Sequence, residues 1–117
     1  VGIPVENGEG LQVLRYEVGQ EYKPHHDYFE PRADSQVDHL KNGGQRVLTF
    51  LVYLNTPELG GATCFPDVGL EVAARQGRAL SFSYAPNPAS KSLHGGMPVF
   101  RGEKWVITKW FREGKFV

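Results

Sequence analysis

The stretch YKPHHDYF, residues 22–29, sets two imidazoles and a carboxylate in three consecutive positions fenced by aromatics. Imidazole nitrogens and carboxylate oxygens bind divalent metals, so a metal centre is the first chemistry to weigh. Along an extended strand the side chains alternate, and residues two apart share a face. If 25–29 is extended, His25, Asp27 and Phe29 point one way and His26 and Tyr28 the other. The converging pair is then His25 and Asp27, and His26 turns outward or into packing. A third ligand must come from elsewhere, from His39 in a polar stretch or from His94 in KSLHGGMPVF. His94 is the stronger candidate, because it ends a predicted strand beside glycines, where backbone can approach a ligand closely. Two histidines and one carboxylate leave open positions, which suits non-haem Fe(II) and oxygen chemistry. Zinc hydrolases use the same set, so ligand type alone leaves the metal open. His-x-Asp is also common in ordinary surface turns, and context must decide.

Those ligands need rigid elements beneath them. Short runs rich in β-branched and aromatic residues recur between turn residues, at 11–18, 25–29, 46–54, 62–65, 70–74, 79–85, 92–96 and 104–111. Each reads as a strand. Fourteen glycines and eight prolines punctuate them, and no stretch holds a helical period for three turns. Strands at this spacing predict an all-β sandwich or barrel, the double-sheet jelly roll among them. The polar segment EPRADSQVDHLKNGGQ, residues 30–45, is longer than an ordinary connection and reads as a functional lid or a disordered segment. NTPELGGAT (55–63) and PNPAS (86–90) read as turns.

With 117 residues, 40% hydrophobic, residues 1–117 read as one globular domain that can bury a core of its own. The 13 basic and 13 acidic residues cancel, which argues against a nucleic-acid footprint or a membrane-surface patch. Cys64 is the sole cysteine, so no intrachain disulfide forms; a small thiol buried in an apolar strand is the expectation. No apolar run has the length of a membrane-spanning helix and no signal peptide is visible. The composition reads as soluble, which for a bacterial source would mean cytoplasmic. The chain begins at Val1 and reads as the C-terminal part of a longer one.

Three blocks supply the context. LRYEVGQEYKPHHDYF, GGQRVLTFLVYLNTPELGGATCFP and SLHGGMPVFRGEKWVITKWF occur in that order. Together they resemble the blocks of prolyl 4-hydroxylases of the collagen, plant, algal and bacterial type, within the Fe(II)- and 2-oxoglutarate-dependent dioxygenase superfamily. The likeness runs from about Leu11 to Trp110 and requires His-x-Asp, Gly-Gly-x-Thr and His followed ten residues later by Lys to stand in register. It implies a double-stranded β-helix, a jelly roll, and iron held by His25, Asp27 and His94. It further implies that Lys104 pairs with the distal carboxylate of 2-oxoglutarate, with Tyr16 and Thr63 lending hydroxyls. Tyr22, Arg46 and Trp110 correspond to positions lining a peptide groove, where aromatic faces suit a polyproline II ligand. The reaction implied is hydroxylation of peptidyl proline at C4, in which 2-oxoglutarate and O2 give succinate and CO2, with ascorbate as reductant.

Two other readings accommodate parts of the pattern. A cupin-like jelly roll that binds a metal or small molecule without oxidation explains the strands and histidines but not Lys104 at its spacing. A dioxygenase with a non-prolyl substrate explains the ligands, although a lysine serving the cosubstrate leans towards the peptidyl-proline branch. Relatives of this type carry an N-terminal helix-rich support for the barrel, which here is expected to be missing or barely begun.

Overall fold

In β3 (Arg46–Tyr53), Thr49, Leu51 and Tyr53 are buried while Leu48, Phe50 and Val52 between them are only half-buried. β10 (Lys104–Arg112) buries Lys104, Val106 and Thr108 by the same alternation. A strand patterned in this way lies within a sheet that has a core face and a more exposed one. The structure, a computed structural model, describes residues 2–30, 36 and 38–117.

β3 and β10 are the two central strands of a four-stranded antiparallel sheet. β1 (Gln12–Tyr16) and β7 (Ala79–Ser83) form its edges. A second antiparallel sheet runs in the order β2 (Tyr22–His25), β8 (His94–Gly96), β5 (Thr63–Phe65), β6 (Leu70–Val72). β4 (Leu59–Gly60) and β9 (Val99–Arg101) pair separately. The architecture is all-β, a jelly roll whose two larger sheets face one another. Leu51, Tyr53 and Ala74 form the buried cluster, flanked by Val72 and Leu80.

The observed strands fall inside or beside those expected, with two differences. The stretch 25–29 is not a strand: β2 occupies 22–25 and the chain bends after His25. β2 is an edge strand, which tolerates Pro24 with its missing N–H, and its ladder ends at the pair His25↔His94. β4 and β9 lie in stretches that no alternation marks, because two or three residues are too few to show a period. Cys64 is only half-buried, since β5 turns Thr63 and Phe65 inward and Cys64 to the other side.

The expected lid, 30–45, falls partly outside the described residues. Its far end is firmly held. Asp38–Lys41 forms a 3-10 turn, and the Arg112 guanidinium donates to the carbonyls of His39, Asn42 and Gly44 at 2.7–2.9 Å. Across the base of the segment the Gln45 side-chain amide accepts from Phe29 N–H at 2.6 Å and donates to Phe29 C=O at 2.7 Å, as a strand partner would.

Candidate metal and cosubstrate site

His25 and His94 are directly opposed partners across β2 and β8, with ring centroids 4.5 Å apart. Cross-strand neighbours stand close enough for two imidazoles to meet at one point. Gly95 permits this closeness. A Cβ there would lie 2.7 Å from the Tyr22 carbonyl oxygen and 2.9 Å from the Pro24 nitrogen, so only glycine lets β2 lie against β8. The bend after β2 then turns Asp27 back towards the pair. Convergence of His25 and Asp27 therefore comes from a bend, not from strand alternation.

Ligand atoms of His25, Asp27 and His94 all lie within 4.8 Å of one another. His25 Nδ1 faces the Lys23 carbonyl at 2.8 Å and His94 Nδ1 faces the Ser92 carbonyl at 2.7 Å. A carbonyl accepts, so each Nδ1 carries the proton and each Nε2 presents the group that faces the carboxylate. Those Nε2 atoms lie 3.2 and 3.3 Å from the Asp27 oxygens. Lone pairs on two imidazoles and a carboxylate repel unless a cation, a proton or a metal, lies among them. The donor set fits a divalent metal. Burial alone would raise the pKa of the Asp27 carboxyl, but hydrogen bonds from His25, His94 and Thr49 outweigh it and hold the group well below the usual carboxylate range. For His94, burial disfavours the charge, yet the hydrogen bond and attraction to Asp27 leave its pKa raised.

The Asp27 carboxylate is oriented from the opposite sheet. Thr49 Oγ1 donates to its Oδ2 at 2.7 Å and Trp110 Nε1 donates to the same oxygen at 3.1 Å. Thr49 and Trp110 are themselves opposed partners across β3 and β10. Because the Thr49 proton goes to Asp27, the Tyr84 hydroxyl at 2.8 Å must donate to Thr49.

Lys104 lines the same cavity, of 370 Å³, together with Tyr16, Tyr22, Arg46, Thr63 and Trp110. Opposite it on β1 stands Tyr16, whose ring lies 4.7 Å from Nζ. The Lys104 side chain is buried and donates to the Gly61 carbonyl at 3.0 Å. Gly61 adopts φ +78°, which favours glycine and turns that carbonyl into the site. No carboxylate pairs with Lys104 among the described residues, and burial pushes its pKa down to about 8. Thr63 is buried and its hydroxyl is 2.5 Å from that of Tyr53.

The three groove candidates share the cavity but differ in freedom. Tyr22 is 48% exposed and stacks on His25 at 3.9 Å between centroids. Arg46 is held by Glu9, with Nε–Oε2 at 2.7 Å and Nη2–Oε1 at 3.0 Å, and its guanidinium lies over Trp110 at 4.2 Å. Trp110 carries its indole N–H to Asp27, a contact that the groove reading does not include.

Other residues also occupy places that sequence reasoning did not assign. Thr49, Tyr84 and Tyr53 were read as ordinary strand positions, and Glu9 was not singled out. Their partners are distant in sequence, so no local pattern marks them. His26 is not outward: it is half-buried, lines the cavity, packs beside Tyr28, and its Nδ1 has no hydrogen-bond partner among the described residues. His39, the other third-ligand candidate, stacks on Phe29 at 4.8 Å instead.

The chain is 44% identical to probable prolyl 4-hydroxylase 3 of Arabidopsis thaliana over 97% of its own length and 46% of the relative's. A putative prolyl 4-hydroxylase of Acanthamoeba polyphaga mimivirus is 42% identical, over 97% and 49%. The chain thus spans about half the length of the curated relatives it matches. The viral collagen prolyl hydroxylase of Paramecium bursaria Chlorella virus-1, solved with 2OG, superposes with a TM-score of 0.75 at 34% identity, covering 91% of this chain and 59% of that one. The model of the 2OG-Fe(II) oxygenase superfamily matches residues 11–112, and the chain belongs to that superfamily.

Proposed function

We propose that residues 1–117 form the catalytic barrel of a peptidyl-proline 4-hydroxylase that uses Fe(II), 2-oxoglutarate and O2, with ascorbate as reductant. One observation carries this reading: a buried lysine with no counter-anion among the described residues opens into the same cavity as a His–Asp–His cluster. An unpaired buried charge is unfavourable, and a ligand carrying a carboxylate at its far end would neutralise it.

His25, Asp27 and His94 would hold the metal, and Lys104, Tyr16 and Thr63 the far carboxylate of 2-oxoglutarate. Bound Fe(II) supplies O2 activation coupled to the conversion of 2-oxoglutarate to succinate and CO2, with one oxygen passing to C4 of a prolyl ring. The remaining tasks fall to the chain itself. The Lys23 and Ser92 carbonyls fix the imidazole orientations and keep Nε2 on the metal side. Leu14, Leu51 and Val106 give the cavity an apolar wall that restricts water and strengthens the attraction of Lys104 for an anion. Tyr22, exposed beside His25, offers an aromatic face to a proline-containing peptide. Arg46 and Trp110 form the adjoining wall.

The deciding assay follows succinate with Fe(II), 2-oxoglutarate and ascorbate, with and without a proline-rich peptide, and mass spectrometry of that peptide. Peptide-stimulated succinate and a gain of one oxygen on proline are expected. His25→Ala should abolish the signal, and His26→Ala should largely spare it. Absence of any peptide-stimulated succinate would overturn the reading.

A further inference from the structure

Thr108 on β10 and Gln12 on β1 are opposed partners in the large sheet, and both line the cavity that holds the His–Asp–His cluster. Thr108 is 6% exposed, and neither its hydroxyl nor the Gln12 amide has a hydrogen-bond partner among the described residues. Buried hydroxyls are ordinarily paired, so one that faces a cavity unpaired marks a place for a polar ligand atom. The surroundings are apolar on one side. Leu51 lies opposite Thr108 on β3, and Leu14 and Val106 form the next row towards Lys104. In the other direction Trp110, two residues along β10, carries its N–H to Asp27. The pair is thus a polar island between the buried lysine and the cluster, with Gln12 exposed on an edge strand.

We propose that Gln12 and Thr108 form a hydrogen-bonding subsite for the main chain of the peptide, donating to backbone carbonyls beside the target proline. The inference rests on the reading of the chain as a peptidyl-proline hydroxylase and adds two substrate-binding residues to it. The chemistry of the pair selects this ligand. Neither side chain is charged, so neither matches a carboxylate as Lys104 does, whereas each can donate to a neutral carbonyl. A polyproline II segment has no internal hydrogen bonds and leaves its backbone to water. Carried against Leu14, Leu51 and Val106 it loses that water, and every carbonyl left unpaired is then costly. A prolyl residue has a carbonyl and no N–H, so donors are what the wall must supply.

Three variants of the full chain test this: Gln12→Met and Thr108→Val, which keep size and remove the donor, and Thr108→Ser, which keeps it. Succinate formation with a proline-rich peptide is measured beside direct binding of the same peptide, fluorescently labelled. Gln12→Met and Thr108→Val should each raise KM and Kd for the peptide about 5- to 30-fold. KM for the peptide should rise far more than kcat falls, and KM for 2-oxoglutarate should move less than about twofold. Thr108→Ser should recover most of the peptide affinity that Thr108→Val loses, which a merely structural role of the methyl group would not require. If Thr108→Val fails to fold, as judged by thermal melting, Gln12→Met at its exposed position carries the test. Parental peptide affinity in either folded donor-less variant would overturn the proposal. So would a rise in KM for 2-oxoglutarate equal to that for the peptide, which would move the pair to the cosubstrate. A parent that shows no peptide-stimulated succinate would overturn the hydroxylase reading and the proposal with it.

Discussion

Lys104 is 3% exposed, and among the described residues its ammonium meets the Gly61 carbonyl and the Tyr16 ring but no carboxylate, so the barrel holds a cation in a place that disfavours charge. Two consequences follow for Lys104→Met. The variant should lose 2-oxoglutarate binding, by at least about 100-fold in a calorimetric titration, if an interaction of about 3 kcal/mol is removed. It should also melt higher than the parent when no ligand is present. The pH dependence has a definite sign. The folded pKa of about 8 lies below the ordinary lysine value near 10.4. Between them the unfolded chain binds more protons, so parental stability rises with pH across that window. Affinity for the dicarboxylate should fall over the same range, and the methionine variant should show neither slope. Lys104 was legible in the sequence only through its ten-residue offset from His94. Thr49 and Tyr84 were not, because Thr49 lies 22 residues from Asp27 and 35 from Tyr84. Only the fold creates those neighbours.

Among the elements, the long strands were the most readable. β3 and β10 run for eight and nine residues, enough for alternation and β-branched content to show. β4 and β9 were hidden by their brevity, and β2 was placed too late because HHDYF carries the composition of a strand while the ladder ends at His25. The convergence of His25 and Asp27 was nevertheless legible, since both a strand face and a bend can bring residues two apart together. The β2–β8 contact is the element on which the histidine pair depends. Gly95→Ala would drive a methyl into the β2 backbone, which cannot yield as a flexible side chain could. We expect a loss of about 1–3 kcal/mol in urea unfolding and a larger proportional loss of cobalt(II) affinity, because His25 moves with β2. Unchanged metal affinity would mean that β2 can shift without its histidine.

At the scale of the whole molecule, Glu9 ties together parts of the chain that would otherwise repel. Arg46 and Arg112 are opposed partners on β3 and β10, and like charges so placed destabilise a ladder. The Glu9 carboxylate accepts from both, at 2.7 Å to each Nε, and its own N–H donates to Trp110 C=O at 2.8 Å. Burial raises the Glu9 pKa, but the hydrogen bonds from Arg46 and Arg112 outweigh it and leave the pKa lowered. A lowered carboxylate pKa contributes stability above its unfolded value, near 4.3, that is lost as pH falls through the folded one. Glu9→Gln should therefore lower stability by about 1.5–3 kcal/mol at pH 7 and flatten the acid limb of the unfolding profile. An identical acid limb in parent and variant would remove Glu9 from that role. The Gln45 amide works over a comparable distance. By pairing with both backbone groups of Phe29, it closes the base of the 30–45 segment two residues from Asp27. Changes of length beyond that closure are insulated from the residues proposed to hold the metal, and they cost little, since doubling a loop adds only about 0.6 kcal/mol of closure entropy. The chain can thus accept new sequence between Phe29 and Gln45 while the cluster of His25, Asp27 and His94 stays where it is.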